Sequence, residues 1–170
     1  MMTMPFEKVR TELLPLPPAD EKLARLHDLW NVQRGAAPLP DRSAVKPESF
    51  HFMLGLINLT DVAEGPPFRF RLVGTDITQR HDRELTSKTT AIVRPRAYRE
   101  AVERHYAECR DLRAPTLYRL IVSDGQQTRS YRRLLLPYAD RTGAVVLLVG
   151  GSHHVDRIED VVRSDGFLSD

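Results

Sequence analysis

Hydrophobic and polar positions alternate most regularly at Phe68-Arg69-Phe70-Arg71-Leu72, with aromatic or aliphatic side chains to one side and arginines to the other. A period of two predicts a strand with one dry face and one wet face, as in an antiparallel sheet. Ala63-Glu64-Gly65-Pro66-Pro67 supplies a turn before it, and Leu56 to Val62 reads as its hairpin partner. Three more strands are predicted at Pro115 to Ser123, Arg129 to Tyr138 and Gly143 to Ser152, separated by Asp124-Gly125 and Asp140-Arg141-Thr142-Gly143, both rich in turn formers.

A helical period governs the stretch that Pro95 opens. Tyr98, Ala101, Val102, His105, Tyr106, Cys109 and Leu112 share one face, and Arg99, Glu100, Glu103, Arg104 and Glu108 fall elsewhere, so this helix must lie apolar side down. An earlier helix starts at an N-cap, Asp20, carries Leu23, Leu26, His27 and Trp30 at helical spacing, and stops at Gly35. A short helix is predicted from Pro47 to Leu54, with proline at its first position. Short helical pieces follow over Thr75 to Leu85, then a polar loop from Thr86 to Arg94.

The order is helix, strand, strand, helices, strand, strand, strand. It predicts an α+β fold: a five-stranded antiparallel sheet with helices packed on one face and an additional N-terminal helix. The expected division is an irregular N-terminal lead at 1–19, where Pro15, Pro17 and Pro18 exclude a helix; one domain at 20–154; and a tail at 155–170 with room for a short helix.

Composition narrows the function. The 170 residues are 41% hydrophobic, enough for one packed core. With 25 Lys and Arg against 23 Asp and Glu, the net charge of +2 does not suggest a dedicated nucleic-acid binder. One cysteine, Cys109, makes neither an internal disulfide nor a cysteine-rich zinc site, and fits a reducing cytoplasm. No continuous apolar stretch near the start resembles a secretory signal, and Ala144 to Gly151, the longest apolar run, is far short of a membrane span. A cytoplasmic protein without a membrane partner is expected.

The element order, together with several short segments, resembles the PAS domain, and more specifically the free-standing bacterial PAS proteins in which the domain fills almost the whole chain. The segments are the leading helix through Leu26 and Trp30, LPDRSAVKP from Leu39 to Pro47, RFRLVGT from Arg69 to Thr75, RELTSKT from Arg83 to Thr89, and RRLLLPY from Arg132 to Tyr138. The resemblance spans residues 23 to 152. Where that group has a glycine after the ELT segment, this chain has Ser87. The resemblance implies a role in sensing a small ligand or binding partner proteins in signalling, and implies no catalytic residue.

Each chemically suggestive residue has a plainer alternative. His105 sits on the helix that, in haem-binding PAS domains, carries the axial ligand; a core histidine with a hydrogen-bond partner is the expectation. Cys109 lacks the Asn-Cys-Arg-Phe run of flavin-adduct PAS domains, its neighbours being Glu108 and Arg110, and reads as an inert core thiol. Haem and flavin are therefore not expected, nor is a metal: His153 and His154 point to opposite faces of a strand, and His27, His51 and His81 show no ligand spacing. The arginines at 69, 71, 119, 129, 132 and 133 read either as a basic face for an anion, a nucleic acid or an acidic partner, or, the expectation, as a solvated, cross-paired sheet face.

The resulting expectation is a sensory or regulatory module, not an enzyme. A small apolar or amphipathic ligand would lie between the sheet and the long helix, lined by Phe70, Leu72, Tyr98, Val102, His105, Tyr131 and Leu148. Leu23, Leu26 and Trp30 would cover exposed sheet or pair with a second subunit in a homodimer, and output would pass to a signalling protein partner. The alternatives are a ligand-free adaptor or dimerisation module with a filled core, and a small α+β enzyme with a polar pocket.

Overall fold

The computed structural model describes residues 8–81, 84–123 and 128–155. Its strands are Lys8–Leu14 (β1), Ile57–Asp61 (β2), Arg69–Val73 (β3), Thr116–Ser123 (β4), Thr128–Ala139 (β5) and Val145–Val155 (β6). They form one antiparallel sheet in the order β1-β4-β5-β6-β2-β3. Helices Glu21–Arg34 (α1), Thr75–His81 (α2) and Arg96–Leu112 (α3) pack against it, with 3-10 segments at Arg42–Ala44, Pro47–Leu56 and Thr90–Ile92.

The α+β class and the antiparallel sheet are as expected, but the sheet has six strands rather than five. The extra strand lies in the supposedly irregular lead. β1 pairs with β4 from Lys8↔Ser123 to Leu14↔Leu117 and ends as Pro15 begins, because proline has no N–H to continue a ladder. Lys8, Arg10 and Glu12 keep this edge strand charged, which discourages pairing with another chain. The tail from 156 onward and the Asp124-Gly125 turn lie outside the described residues.

The two long helices lie on opposite faces. At adjacent positions on β6, a Cβ on Gly151 would meet Leu23, Leu26 and Met53, whereas one on Gly150 would overlap Asn58. Asn58 in turn donates to the Tyr106 hydroxyl of α3 at 3.2 Å. α3 thus covers the Gly150 face, and α1 the Gly151 face. Asp20 caps α1 through its Oδ1, which accepts from Leu23 N–H at 2.9 Å, and Trp30 Nε1 donates to the Pro137 carbonyl at 2.8 Å. Leu23 and Leu26 are fully buried and Trp30 is 4% exposed. Of the two roles expected for this stripe, the structure places it on the sheet of its own chain.

Two backbone positions explain recognisable segments. Gly74, in RLVGT, ends β3 where the chain passes the backbone of Gly55, and a Cβ there would overlap the Gly55 carbonyl. Ser87 takes φ +69, a left-handed conformation that glycine adopts more readily. It is held there because its N–H donates to Phe70 O at 2.8 Å while Phe70 N–H donates to Lys88 O at 2.9 Å, fastening this segment beside β3.

Candidate functional site

Between α3 and the sheet lies a cavity of about 160 Å³. Its apolar wall is drawn from β3 (Phe70, Val73), α2 (Ile77), the following segment (Leu85, Val93), α3 (Val102) and β4 (Val122). Its polar wall combines Asn58 of β2, Tyr98 and Tyr106 of α3, Tyr131 and Arg133 of β5, and Ser152 and His154 of β6. Arg94 and Arg129 also line it and are exposed. On β5, β6 and α3 ordinary periodicity presents the lining side chains, at alternate strand positions and successive helical turns, whereas on β3 Phe70 and Val73 are three apart, beside a register irregularity in the β2–β3 ladder between Leu59 and Thr60.

The polar wall centres on Arg133, which is 6% exposed. Its Nη2 donates to the Tyr131 hydroxyl at 2.7 Å and the Tyr98 hydroxyl at 3.1 Å, and those two hydroxyls are hydrogen-bonded to each other. The guanidinium carbon also stands 5.3 Å and 5.6 Å from the ring centroids of Tyr131 and Tyr106, at cation–π range. Asn58 Nδ2 donates to Thr60 Oγ1 at 2.9 Å as well as to Tyr106, extending the network into β2.

Burial opposes the charge on Arg133, but the surrounding phenols of Tyr131, Tyr106 and Tyr98 more than offset it, and its pKa lies above the usual arginine value. Burial pushes the Tyr106 phenol up and the Tyr131 phenol well up, so both are neutral at physiological pH. The cavity therefore holds a fixed cation among neutral hydrogen-bonding groups. Among the described residues no carboxylate lines it.

Of the candidate ligand-binding residues, Phe70, Tyr98, Val102 and Tyr131 line the cavity. Three other candidates sit elsewhere. Leu72 is half-buried on β3, opposite Leu59, and Leu148 is fully buried, paired with Thr60 and Pro137 deep in the sheet. His105 is 1% exposed and stacks on Tyr118, ring centroids 3.7 Å apart and planes within 8°. Burial, then the charges of Arg133 and Arg104, lower its pKa to about 3, and it is a neutral core imidazole. Its Nδ1 has no hydrogen-bond partner among the described residues.

Cys109 is buried, its thiol facing the carbonyls of Ala114 at 3.4 Å and Leu135 at 3.7 Å, and burial pushes its pKa up to about 12. His153 and His154 do point to opposite faces: His154 lines the cavity, while His153 Nδ1 lies 3.0 Å from Asp20 Oδ2 at the start of α1. No group of three His, Cys, Asp or Glu side chains among the described residues is placed to hold a metal ion.

The expected solvated arginine face is only partly present. Arg71 pairs with Asp61 at 2.6 Å and Arg119 with Glu12 at 3.4 Å, but Arg133 lies inside. The signal for it was available: if Tyr131 faces the cavity, the period of two sends Arg133 to the same side. Tyr106 was already on the apolar face of α3.

An antiparallel sheet carrying a helix across one face, with a cavity beneath that helix, defines the class as a single-sheet α+β domain. The family model for the PAS domain matches residues 19–152, and the chain belongs to the PAS domain family, whose members are sensory and regulatory modules. Among solved structures, the PAS domain of Bordetella pertussis BvgS is similar at 17% identity and a TM-score of 0.51, over 85% of this chain and 96% of that one. An RNA-binding Light-Oxygen-Voltage receptor is similar at 16% identity and a TM-score of 0.51, over 97% of this chain and 43% of that one. At such identities the likeness concerns the fold. No curated protein matches the chain. Among the described residues no helix is long and apolar enough to cross a membrane.

Proposed function

We propose that this PAS domain senses a small molecule held between α3 and the sheet, and transmits its occupancy to a protein partner by contact. The observation that carries this is the cavity itself, which has an apolar wall, a convergent polar wall and side chains from α2, α3 and five strands. Such a combination of an apolar surface with a few placed polar groups is what small-ligand sites are built from. A core evolved only for packing would close it, since an empty space forfeits contacts all round its lining.

Transmission follows from which elements form the wall. Ile77, Leu85 and Val93 bring the surface segment between β3 and α3 directly onto the cavity. An occupant touches that segment, and shifts its conformation to the extent that it binds one arrangement better than another.

The test is native mass spectrometry and absorbance spectroscopy on the whole protein purified from its host, beside the Val102→Trp variant. The wild type is expected to carry or take up a non-covalent adduct that the variant excludes while keeping its circular dichroism. An adduct-free wild type, with Val102→Trp destabilised by about 1–3 kcal/mol as in an overpacked core, would instead mark a filled adaptor.

A further inference from the structure

The cavity's chemistry selects among ligands. Arg133 is buried on β5 beneath α3, and a buried guanidinium is ordinarily matched by a carboxylate or phosphate. Here its Nη2 meets the hydroxyls of Tyr131 and Tyr98. Nη1 is buried with no hydrogen-bond partner among the described residues, and no carboxylate of those residues reaches Arg133. Arg133 lines the cavity without a carboxylate of the described residues to match it, and an anion entering the cavity would supply that match. A planar carboxylate matches the fork of N–H groups that a guanidinium presents.

The remainder of the wall limits the rest of the molecule. Val102, Val93, Phe70 and Ile77 give an apolar surface, which rewards a hydrocarbon body and penalises a second charge. The volume of about 160 Å³ is close to the ~150 Å³ of an engineered apolar cavity that takes up benzene, so it admits one ring or a chain of about six carbons. Arg94 and Arg129 are exposed where they line the cavity, and would raise the local concentration of an approaching anion.

Resting on the sensor reading above, we propose that the ligand is a small aromatic or short-chain monocarboxylate whose carboxylate pairs with Arg133 and whose hydrocarbon body lies against Val102 and Phe70.

Isothermal titration calorimetry on the whole chain at pH 7 tests this with benzoate, benzyl alcohol and inorganic phosphate. Benzoate should bind wild type about ten- to a hundredfold more tightly than the alcohol, the span expected for a charged hydrogen bond. Arg133→Met should erase that preference while the alcohol's affinity survives, and Val102→Trp should abolish both. If the alcohol binds wild type as tightly as the acid, and Val102→Trp removes both, the pocket stands and the assignment of an anion to Arg133 falls. Phosphate binding as tightly as benzoate would overturn the monocarboxylate in favour of a plain anion site. Binding of none of the three also overturns it, leaving the sensor reading to the mass measurement. The wild-type comparison of acid with alcohol decides the question even if Arg133→Met fails to fold.

Discussion

Arg133 and Tyr131 stand two positions apart on β5, and Nη2 of Arg133 donates to the Tyr131 hydroxyl at 2.7 Å. The same nitrogen reaches Tyr98 on α3 at 3.1 Å. One guanidinium thereby joins the central strand of the sheet to the helix that roofs the cavity. A ligand competing for either phenol acts on α3 through Tyr98 as well as on the surface segment through Ile77.

Arg133 should contribute little to the stability of the unliganded fold. No carboxylate of the described residues is paired with Arg133, and apolar replacement of buried charges is often neutral or stabilising. In Arg133→Met, Tyr98 and Tyr131 keep their bond to each other, so neither hydroxyl is stranded. The urea midpoint of the variant is expected to equal that of wild type or exceed it by up to about 2 kcal/mol in unfolding free energy. A loss of about 3 kcal/mol or more, the size seen when a structural buried pair is broken, would make Arg133 a structural residue instead.

Gly74→Ala should be costly. A methyl group at this position would overlap the backbone of Gly55, and backbone cannot rotate aside as a side chain does. Separation of the end of β3 from the Pro47–Leu56 segment is expected to cost about 1–3 kcal/mol, the range for overpacking, measured by chemical denaturation. Gly35→Ala, where nothing lies within 4 Å, serves as a comparison for the strain of a positive φ without a clash.

Local periodicity made much of this fold readable. The apolar face of α3 is the buried face at Tyr98, Ala101, Val102, His105, Tyr106 and Cys109, while Leu112, assigned to the same face, is 63% exposed at the helix end. Asp20 and Gly35 bound α1 as their chemistry predicts. β1 was hidden because its alternation is weak and its partner lies more than a hundred residues away at Leu117 to Ser123, so the decisive term is a long-range ladder. Arg133 was hidden for a different reason. Charge argues for the surface, strand phase argues for the cavity, and the phase shared with Tyr131 prevailed because the phenols supply hydrogen bonds. His105 and Leu148 were assigned to the cavity because they share its side of the sheet, but facing the same way does not bring a side chain to the same place along α3 or β6.

Ser87→Gly should stabilise the protein. Ser87 holds φ +69, where an L-residue is disfavoured, and glycine removes that penalty while adding freedom to the unfolded chain. The net gain is expected to be about 0.5–1 kcal/mol, read as a rise in urea midpoint with an unchanged m-value. No gain would mean that the bonds of Ser87 and Lys88 to Phe70 already relieve the strain.

His105 should make stability fall with acid. Its pKa is lowered to about 3 in the fold, first by burial and then by the charges of Arg133 and Arg104, against about 6.5 in an unfolded chain. Between those values the unfolded state binds the extra proton, so the stability tied to a neutral His105 is complete above about pH 6.5 and lost progressively as pH falls toward about 3. The Tyr118 ring is stacked on it, and the Tyr118 hydroxyl donates to Glu108 at 2.5 Å. Replacement by phenylalanine keeps a flat ring against Tyr118 and removes the titration. Between pH 7 and pH 4.5 the wild type should therefore lose about 1–3 kcal/mol more stability than His105→Phe, read from urea unfolding of both proteins at the two pH values. Parallel acid losses in the two proteins would show that His105 accepts its proton in the folded state as readily as in the unfolded one.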